Sequence, residues 1–343
     1  MHRMKVAHNL FRIGAAMIGA LLATSGARGE ERHVLESVRW NGQAAYRLSD
    51  GRTEAVIVPA WGRVMRYGFV GGPNLLWNAA AHSLPAKGFQ NRGGAKTWPA
   101  PQGEWPAFTG DNYPPHPTWD GAPMQAQVLP ATPDRLRLTS GKWSGLGVRL
   151  TLEFGWSAQG AFEIVQTLQK VEGETRHIGL WSVVQVPHPD ALFLPKNPSS
   201  QYNNGLYWFF HGPNPAVVGA VTGLSPTLLR VQPMVGKSYK VGVDAPHAAI
   251  ASVTNGVALV MRAPALQGSY PDGADGAGFP VECYNQEGDD AYNEMELLSP
   301  LYFMRRGDSR AHTVRWSLHK LTAPDLKSPA FQREMEALLN TEE

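Results

Sequence analysis

The chain has 343 residues, of which 43% are hydrophobic and 17% are charged, and this composition excludes a disordered protein. Its 36 glycines and 27 prolines indicate many short strands joined by tight turns. The formal net charge of +2 falls to −1 when Arg3, Lys5 and Arg12 are set aside, so charge gives no argument for a nucleic-acid partner.

Those three basic residues belong to residues 1–27, which are typical of a secretory signal peptide. An apolar run at 13–23 is followed by small residues at 25–27 that offer a cleavage site. The run is shorter than the roughly 20 residues that a membrane span needs. We therefore expect a periplasmic or secreted protein with no membrane span after signal cleavage.

Strand-like runs recur along the rest of the chain. Alternating polar and apolar residues at 135–139, 148–154 and 162–168 predict strands with one buried face. Further strands are predicted at 53–58, 181–186, 256–261, 292–298 and 313–318. Together they predict one all-β domain, a large antiparallel β-sandwich with few short helices over residues 28–323. Residues 324–343 are predicted to form a C-terminal helical appendage.

Two long segments, 79–124 and 187–215, are predicted to be irregular, and such loops in a compact domain are usually functional. The first contains Lys96, Trp98, Gln102 and Glu104 after a Gly-Gly pair. Aromatic faces beside planar polar groups suit a sugar. Packing of the aromatic residues onto the sandwich explains the same composition equally well.

A second polar group lies on the predicted strand 292–298. Tyr292, Glu294 and Glu296 share one face of that strand, which is either a solvated face or the lining of a site. Asp289 and Asp290 add hard oxygen ligands for calcium, but the spacing matches no EF-hand loop.

The third group is formed by Gln185, in an apolar strand, and His188, between two prolines at its end. A buried glutamine needs a hydrogen-bond partner, and a histidine suits proton transfer near neutral pH. The histidines show no metal-binding spacing, and Cys283 is the single cysteine, so we predict no metal site. Without a P-loop or a dinucleotide fingerprint, the sequence predicts no cofactor.

The order of these motifs resembles the galactose mutarotase-like, or aldose 1-epimerase-like, superfamily, and in particular a branch of bacterial secreted proteins that carries a domain of unknown function. The similar segments are residues 58–64, 74–78, 93–102, 237–244 and 292–300. The resemblance spans residues 38–321 and implies a β-supersandwich with a concave carbohydrate-binding face.

The resemblance also implies a glutamate base and a histidine acid that open and reclose a sugar ring. Glu296 is the best match for the base and Glu294 is the second. Gln185 stands on the strand that carries the superfamily's histidine, which leaves Lys96 or His188 as the acid. Trp98, Gln102, Glu104, Gln185, Tyr292 and Glu294 would bind the substrate, a small sugar or an oligosaccharide. The alternative is a non-catalytic carbohydrate-binding module, or an accessory domain of polysaccharide degradation.

Overall fold

The computed structural model describes residues 33–85, 87–210, 215–264, 266–272, 278–288 and 291–340. The predicted signal peptide and the two aspartates of the calcium hypothesis, Asp289 and Asp290, lie outside these residues.

Strands dominate the described part of the chain. In chain order they are β1 (Val34–Trp40), β2 (Gln43–Ser49), β3 (Thr53–Val58), β4 (Arg63–Phe69), β5 (Ala95–Ala100), β6 (Gln125–Leu129), β7 (Thr132–Trp143), β8 (Val148–Trp156), β9 (Phe162–Lys170), β10 (Arg176–Pro187), β11 (Ala191–Pro195), β12 (Tyr207–Trp208), β13 (Val221–Ser225), β14 (Leu228–Val231), β15 (Tyr239–Val243), β16 (Ala248–Thr254), β17 (Val257–Ala263), β18 (Val281–Asn285), β19 (Tyr292–Leu298), β20 (Tyr302–Met304) and β21 (Ser309–Lys320). The helices are α1 (Pro106–Thr109), α2 (Pro329–Asn340) and 3-10 turns at Ala81–Ser83, Gln102–Glu104, Asn203–Gly205 and Val218–Ala220.

These strands form two antiparallel sheets. The first has the order β1-β2-β3-β4-β5-β10-β19-β18-β15-β12, with β20 also paired to β10. The second has the order β13-β14-β11-β16-β17-β21-β9-β8-β7-β6. The predicted all-β sandwich is therefore confirmed.

The two faces of the first sheet differ because side chains alternate along each strand. On β19, Met295 and Leu297 join the hydrophobic core shared with the second sheet, whereas Glu294 and Glu296 lie on the opposite face. The outer face of the first sheet therefore carries the polar residues of its central strands.

The predicted irregular segment 79–124 is wrong in one respect, because it contains the central strand β5. Prolines at 99 and 101 obscure this strand in the sequence. Its neighbour β4 pairs with it only through Val64 and Ala95, so most of that edge of β5 needs no backbone donor and tolerates Pro99. The second predicted loop, 187–215, likewise contains β11 and β12.

The predicted C-terminal helix is present as α2 and packs on the outer face of the second sheet. The Ser328 hydroxyl accepts a hydrogen bond from the Phe331 backbone at 3.1 Å, which caps the helix start. Phe331, Met335 and Leu339 are buried against apolar residues of β11, β16 and β17.

Candidate functional site

A cleft of about 770 Å³ opens on the outer face of the first sheet. Its floor is formed by β5, β10, β19, β18 and β15, which are adjacent in that order. The described residues that line it are Trp77, Ala79, Ser83, Leu84, Pro85, Phe89, Asn91, Lys96, Trp98, Gln102, Tyr113, Trp181, Gln185, Phe210, Lys240, Tyr284, Gln286, Glu287, Gly288, Tyr292, Glu294 and Glu296. The sequence predicted seven of these as site residues: Lys96, Trp98, Gln102, Gln185, Tyr292, Glu294 and Glu296.

Strand register brings these residues together. Gln185 on β10 lies opposite Glu294 on β19, which lies opposite Tyr284 on β18. Lys240 on β15 completes this row. Because directly opposed residues share a face of the sheet, one row carries an amide, a carboxylate, a phenol and an ammonium group across the floor.

The first ionic group of the floor centres on Glu294. Its Oε1 accepts hydrogen bonds from Lys96 Nζ at 3.1 Å and from Gln185 Nε2 at 2.9 Å. Lys96 Nζ also lies 4.4 Å from the centre of the Trp98 ring. Burial lowers the pKa of Lys96, and the nearby Glu294 opposes this shift. Lys96 is thus a buried amine whose protonated form is more acidic than that of an exposed lysine.

The second ionic group, the Lys240 cluster, combines Lys240, Glu282 and Glu296. Lys240 Nζ lies 2.5 Å from Glu282 Oε2 and 2.8 Å from Glu296 Oε2. Trp181 Nε1 donates to the same Glu296 oxygen at 2.7 Å. Glu282 on β18 lies directly opposite Glu296 on β19, so the two carboxyl groups share the ammonium group of Lys240.

Burial dominates the protonation of the Lys240 cluster. It raises the pKa of Glu282 well above the usual range and raises that of Glu296, while Lys240 opposes both shifts. Burial lowers the pKa of Lys240, but the two glutamates outweigh it and raise that pKa overall. Two buried carboxyl groups that share one ammonium therefore favour a proton on one of the two carboxyl groups.

Accessibility separates the carboxylates of the two groups, whereas the lysines differ in the opposite direction, with Lys240 10% and Lys96 3% exposed. The Glu294 side chain is 11% exposed, whereas the side chains of Glu296 and Glu282 are both 0% exposed. Glu296 Oε2 accepts hydrogen bonds from both Lys240 and Trp181. A ligand in the cleft therefore meets the carboxylate of Glu294 before that of Glu296.

The Trp98 ring beside Lys96 is held by a buried hydrogen bond on the side away from the cleft. Trp98 Nε1 donates to Asp120 at 2.9 Å, and Asp120 accepts two hydrogen bonds from Arg63 at 2.6 and 2.7 Å. Arg63 and Asp120 are both buried. This ion pair fixes the Trp98 ring in one orientation.

Tyr292 forms another part of the wall. Its ring packs against Trp77 with centroids 4.6 Å apart, and its hydroxyl accepts a hydrogen bond from Asn91 at 3.0 Å. Tyr292 therefore contributes an oriented aromatic surface to the lining of the cleft.

The Gly-Gly pair before β5 lets the chain pass close to neighbouring backbone. Gly93 and Gly94 have positive φ angles of 84° and 71°, and a Cβ at either would lie 2.3 Å from a carbonyl oxygen, that of Trp77 or Val64. Only glycine fits such a close approach. The two glycines do not line the cleft themselves, but they position the start of β5 and so place Lys96 on the floor.

Two predicted site residues lie elsewhere. His188 is half-buried after β10 and is not among the residues lining the cleft, and burial lowers its pKa. Glu104 is exposed on the 3-10 turn Gln102–Glu104 because that turn points its side chain to solvent. Gln102 does line the cleft, and its side chain donates to the Asn112 carbonyl at 2.7 Å.

The sequence reasoning missed Lys240 and Glu282 as site residues. Both occupy strands that are otherwise largely apolar, Tyr239–Val243 and Val281–Asn285. A charged residue in such a strand must be paired if it is buried, which is the argument that had identified Gln185. The same signal therefore existed for both residues.

Two absences hold for the part of the chain that the structure describes. No group of three or more histidine, cysteine, aspartate or glutamate residues within it has a geometry that could hold a metal ion. No helix within it has the length and apolar character to cross a membrane.

The chain matches no protein-family model and no curated protein sequence. Its fold is similar to that of a galactose mutarotase-like protein from Lactobacillus casei, with a TM-score of 0.53, 10% identity and coverage of 83% of this chain and 100% of that one. A galactose mutarotase-like protein from Clostridium acetobutylicum gives a TM-score of 0.53, 12% identity and coverage of 84% and 99%.

A TPR-domain containing protein from Parabacteroides distasonis is also similar, with a TM-score of 0.54 and 16% identity over 87% of this chain. This chain covers 55% of that longer protein. These likenesses establish a galactose mutarotase-like fold, as the resemblance implied.

Proposed function

We propose that this protein binds a sugar in the cleft and interconverts its anomers by proton transfer, with Lys96 as acid and Glu294 as base. The observation that carries the proposal is the Lys96–Glu294 pair, whose atoms lie 3.1 Å apart and in which the Glu294 side chain is 11% exposed. The galactose mutarotase-like fold supports a sugar as the ligand, but fold alone does not fix an activity.

The ring oxygen and the anomeric hydroxyl of a cyclic sugar are bonded to the same carbon. An acid and a base that lie side by side can therefore reach both. Glu294 takes the hydroxyl proton while the bond from the anomeric carbon to the ring oxygen breaks, and Lys96 gives a proton to that ring oxygen. The open-chain aldehyde rotates, and the reverse transfers close the ring in the other configuration.

The geometry of the pair suits this reaction. Glu294 Oε1 accepts hydrogen bonds from two donors, Lys96 and Gln185, which orient it. The burial that lowers the pKa of Lys96 brings its acidity closer to neutral pH, where general acid catalysis is most effective.

Glu296, the base implied by the resemblance, supports the site in this proposal. Its side chain is completely buried, and its Oε2 accepts hydrogen bonds from Lys240 and Trp181. It holds Lys240 and the Trp181 ring in place beneath the ligand.

The decisive experiment is polarimetry or NMR of mutarotation on a panel of free aldoses. We expect the wild type to accelerate at least one, and Glu294→Gln to lower that rate by about 100-fold or more because the base is lost. Glu287→Gln changes an exposed carboxylate of the same cleft and is the matched control. Glu296→Gln should lower the rate less than Glu294→Gln.

Acceleration of no aldose would refute the enzymatic proposal. Binding of a sugar without turnover would instead favour the non-catalytic binding module, in which the ion pairs only orient hydroxyl groups. A larger loss of mutarotation rate in Glu296→Gln than in Glu294→Gln would identify Glu296 as the base.

We further propose that the protein is exported. The basic start, the short apolar run and the small residues of 1–27 support this as a signal peptide. Cell fractionation with N-terminal sequencing of the mature protein tests it, and a cytoplasmic protein that retains residues 1–27 would contradict it.

A further inference from the structure

We infer that the cleft takes a neutral oligosaccharide, which enters with its reducing end toward Lys96 and Glu294 and leaves its next sugar ring against Tyr113 and Phe210. The choice of the reducing end rests on the proposed function. The other two parts of the inference, a ligand of more than one ring and a neutral ligand, rest on the size, the aromatic rim and the charge of the cleft.

The cleft is too large for one sugar ring. A hexose has about 12 non-hydrogen atoms, and even at a water's share of about 30 Å³ per atom it fills roughly 360 Å³. This is less than half of the 770 Å³ cleft. Space for at least one more ring remains above the floor.

That space is lined by aromatic side chains that the fold leaves exposed. Tyr113 is 52% exposed and Phe210 is 62% exposed, and both line the cleft. Large exposed aromatic residues mark binding surfaces when they gather at a groove, and their faces suit the C–H side of a sugar ring.

Both aromatic residues are held in place despite their exposure. Tyr113 packs edge-on against Phe89 with centroids 5.3 Å apart. Phe210 packs edge-on against Tyr284 with centroids 6.5 Å apart, and its φ of 58° is a left-handed conformation that is rare for a bulky residue. Strained backbone of this kind clusters at active sites and ligand-binding sites.

The charges of the cleft argue against an anionic sugar. Among the described lining residues the cationic groups are Lys96 and Lys240, and both are already paired with carboxylates. The exposed Glu287 adds a further negative charge at the rim. Among the described residues, a phosphate or uronate would therefore find no free cation in the cleft and would be repelled.

The test is calorimetric titration of the full protein with glucose, galactose and a panel of their reducing disaccharides that differ in linkage. We expect at least one disaccharide to bind about tenfold more tightly than its monosaccharide, because a second ring contacts the aromatic rim. The same disaccharide should lose this affinity when its reducing end is reduced to an alditol. Its uronate analogue and the monosaccharide 6-phosphate should bind at least about tenfold more weakly than the neutral sugars.

The double variant Tyr113→Ala/Phe210→Ala should remove the difference between disaccharide and monosaccharide. Phe303→Ala is the matched control, because Phe303 is 48% exposed but does not line the cleft. Unchanged disaccharide preference in the double variant, equal affinity for the two sugar sizes, or tight binding of an anionic analogue would overturn the inference. Equal binding of the alditol would refute entry by the reducing end.

The results also separate this inference from the proposed function. Disaccharide binding without mutarotation refutes the catalytic proposal and supports the neutral, multi-ring ligand. Mutarotation of monosaccharides with no gain from a second ring refutes this inference and supports the catalytic proposal. Binding of none of the sugars overturns both.

Discussion

The outer faces of the two sheets are covered in opposite ways. On the second sheet, α2 lies over a face of apolar residues, with Phe331 packed 5.2 Å from Phe193 between ring centroids. On the first sheet, the central strands present paired lysines and glutamates beneath an open cleft. An apolar face is stabilised by covering it, whereas buried charges contribute little net stability. The polar face is thus explained better by ligand recognition than by folding.

The largest effect should come from breaking the charge balance of the polar face. Lys240→Met leaves Glu282 and Glu296 buried without their ammonium partner, and we expect a loss of about 3–5 kcal/mol in the free energy of unfolding. Urea denaturation near neutral pH measures it. A loss below about 1 kcal/mol would show that the two carboxyl groups do not depend on Lys240.

A comparable loss should follow on the apolar face, without an effect on the site. Phe331→Ala creates a cavity under α2, and we expect about 3–5 kcal/mol of destabilisation. Ligand binding by the fraction that remains folded should be unchanged, because Phe331 does not line the cleft. Arg333→Ala, at an exposed position of the same helix, is the control, and equal losses in the two variants would contradict the packing seen for α2.

The protonation of the polar face predicts a pH dependence that the apolar face lacks. Because the folded protein holds the pKa of Glu282 above its unfolded value, the free energy of unfolding should fall as pH rises from the usual carboxyl range through that raised pKa. Glu282→Gln removes the titrating group, so its free energy of unfolding should change less than that of the wild type between about pH 5 and about pH 8.

Thermal or urea unfolding at several pH values measures this difference. Glu174→Gln, at an exposed carboxylate, is the control. Parallel pH profiles for the wild type and Glu282→Gln would show that Glu282 does not hold the extra proton.

The smallest effect should come from an ion pair outside both faces. Lys142 and Glu172 form an exposed pair, with side chains 46% and 54% exposed. Lys142→Ala should change the free energy of unfolding by no more than about 0.5 kcal/mol, because solvent screens such pairs. A loss as large as that of Lys240→Met would remove the distinction between buried and exposed pairs on which the comparison depends.

Much of the site could be anticipated from strand alternation. It places Glu294 and Glu296 on one face of β19 with Met295 and Leu297 on the other, and a polar residue in an apolar strand identified Gln185. His188 and Glu104 could not be excluded in this way, because residues beyond a strand end have no fixed face. The pairing of lysines with glutamates was equally hidden in the sequence. Glu296 was the best match for the base and Lys96 a candidate acid, but in the structure Lys96 contacts Glu294 and Lys240 contacts Glu296.

The sequence by itself determined the all-β fold class, most of the strands and the polar character of one strand face, since these depend on periodicity over neighbouring residues. Only the tertiary structure decided which carboxylate in the cleft is the more exposed, that of Glu294 at 11% or that of Glu296 at 0%. That depends on the order β5-β10-β19-β18-β15, which joins residues as far apart in the chain as Lys96 and Glu294. Cross-strand pairing and the depth of burial are set by how sheets assemble, and local sequence carries no record of either.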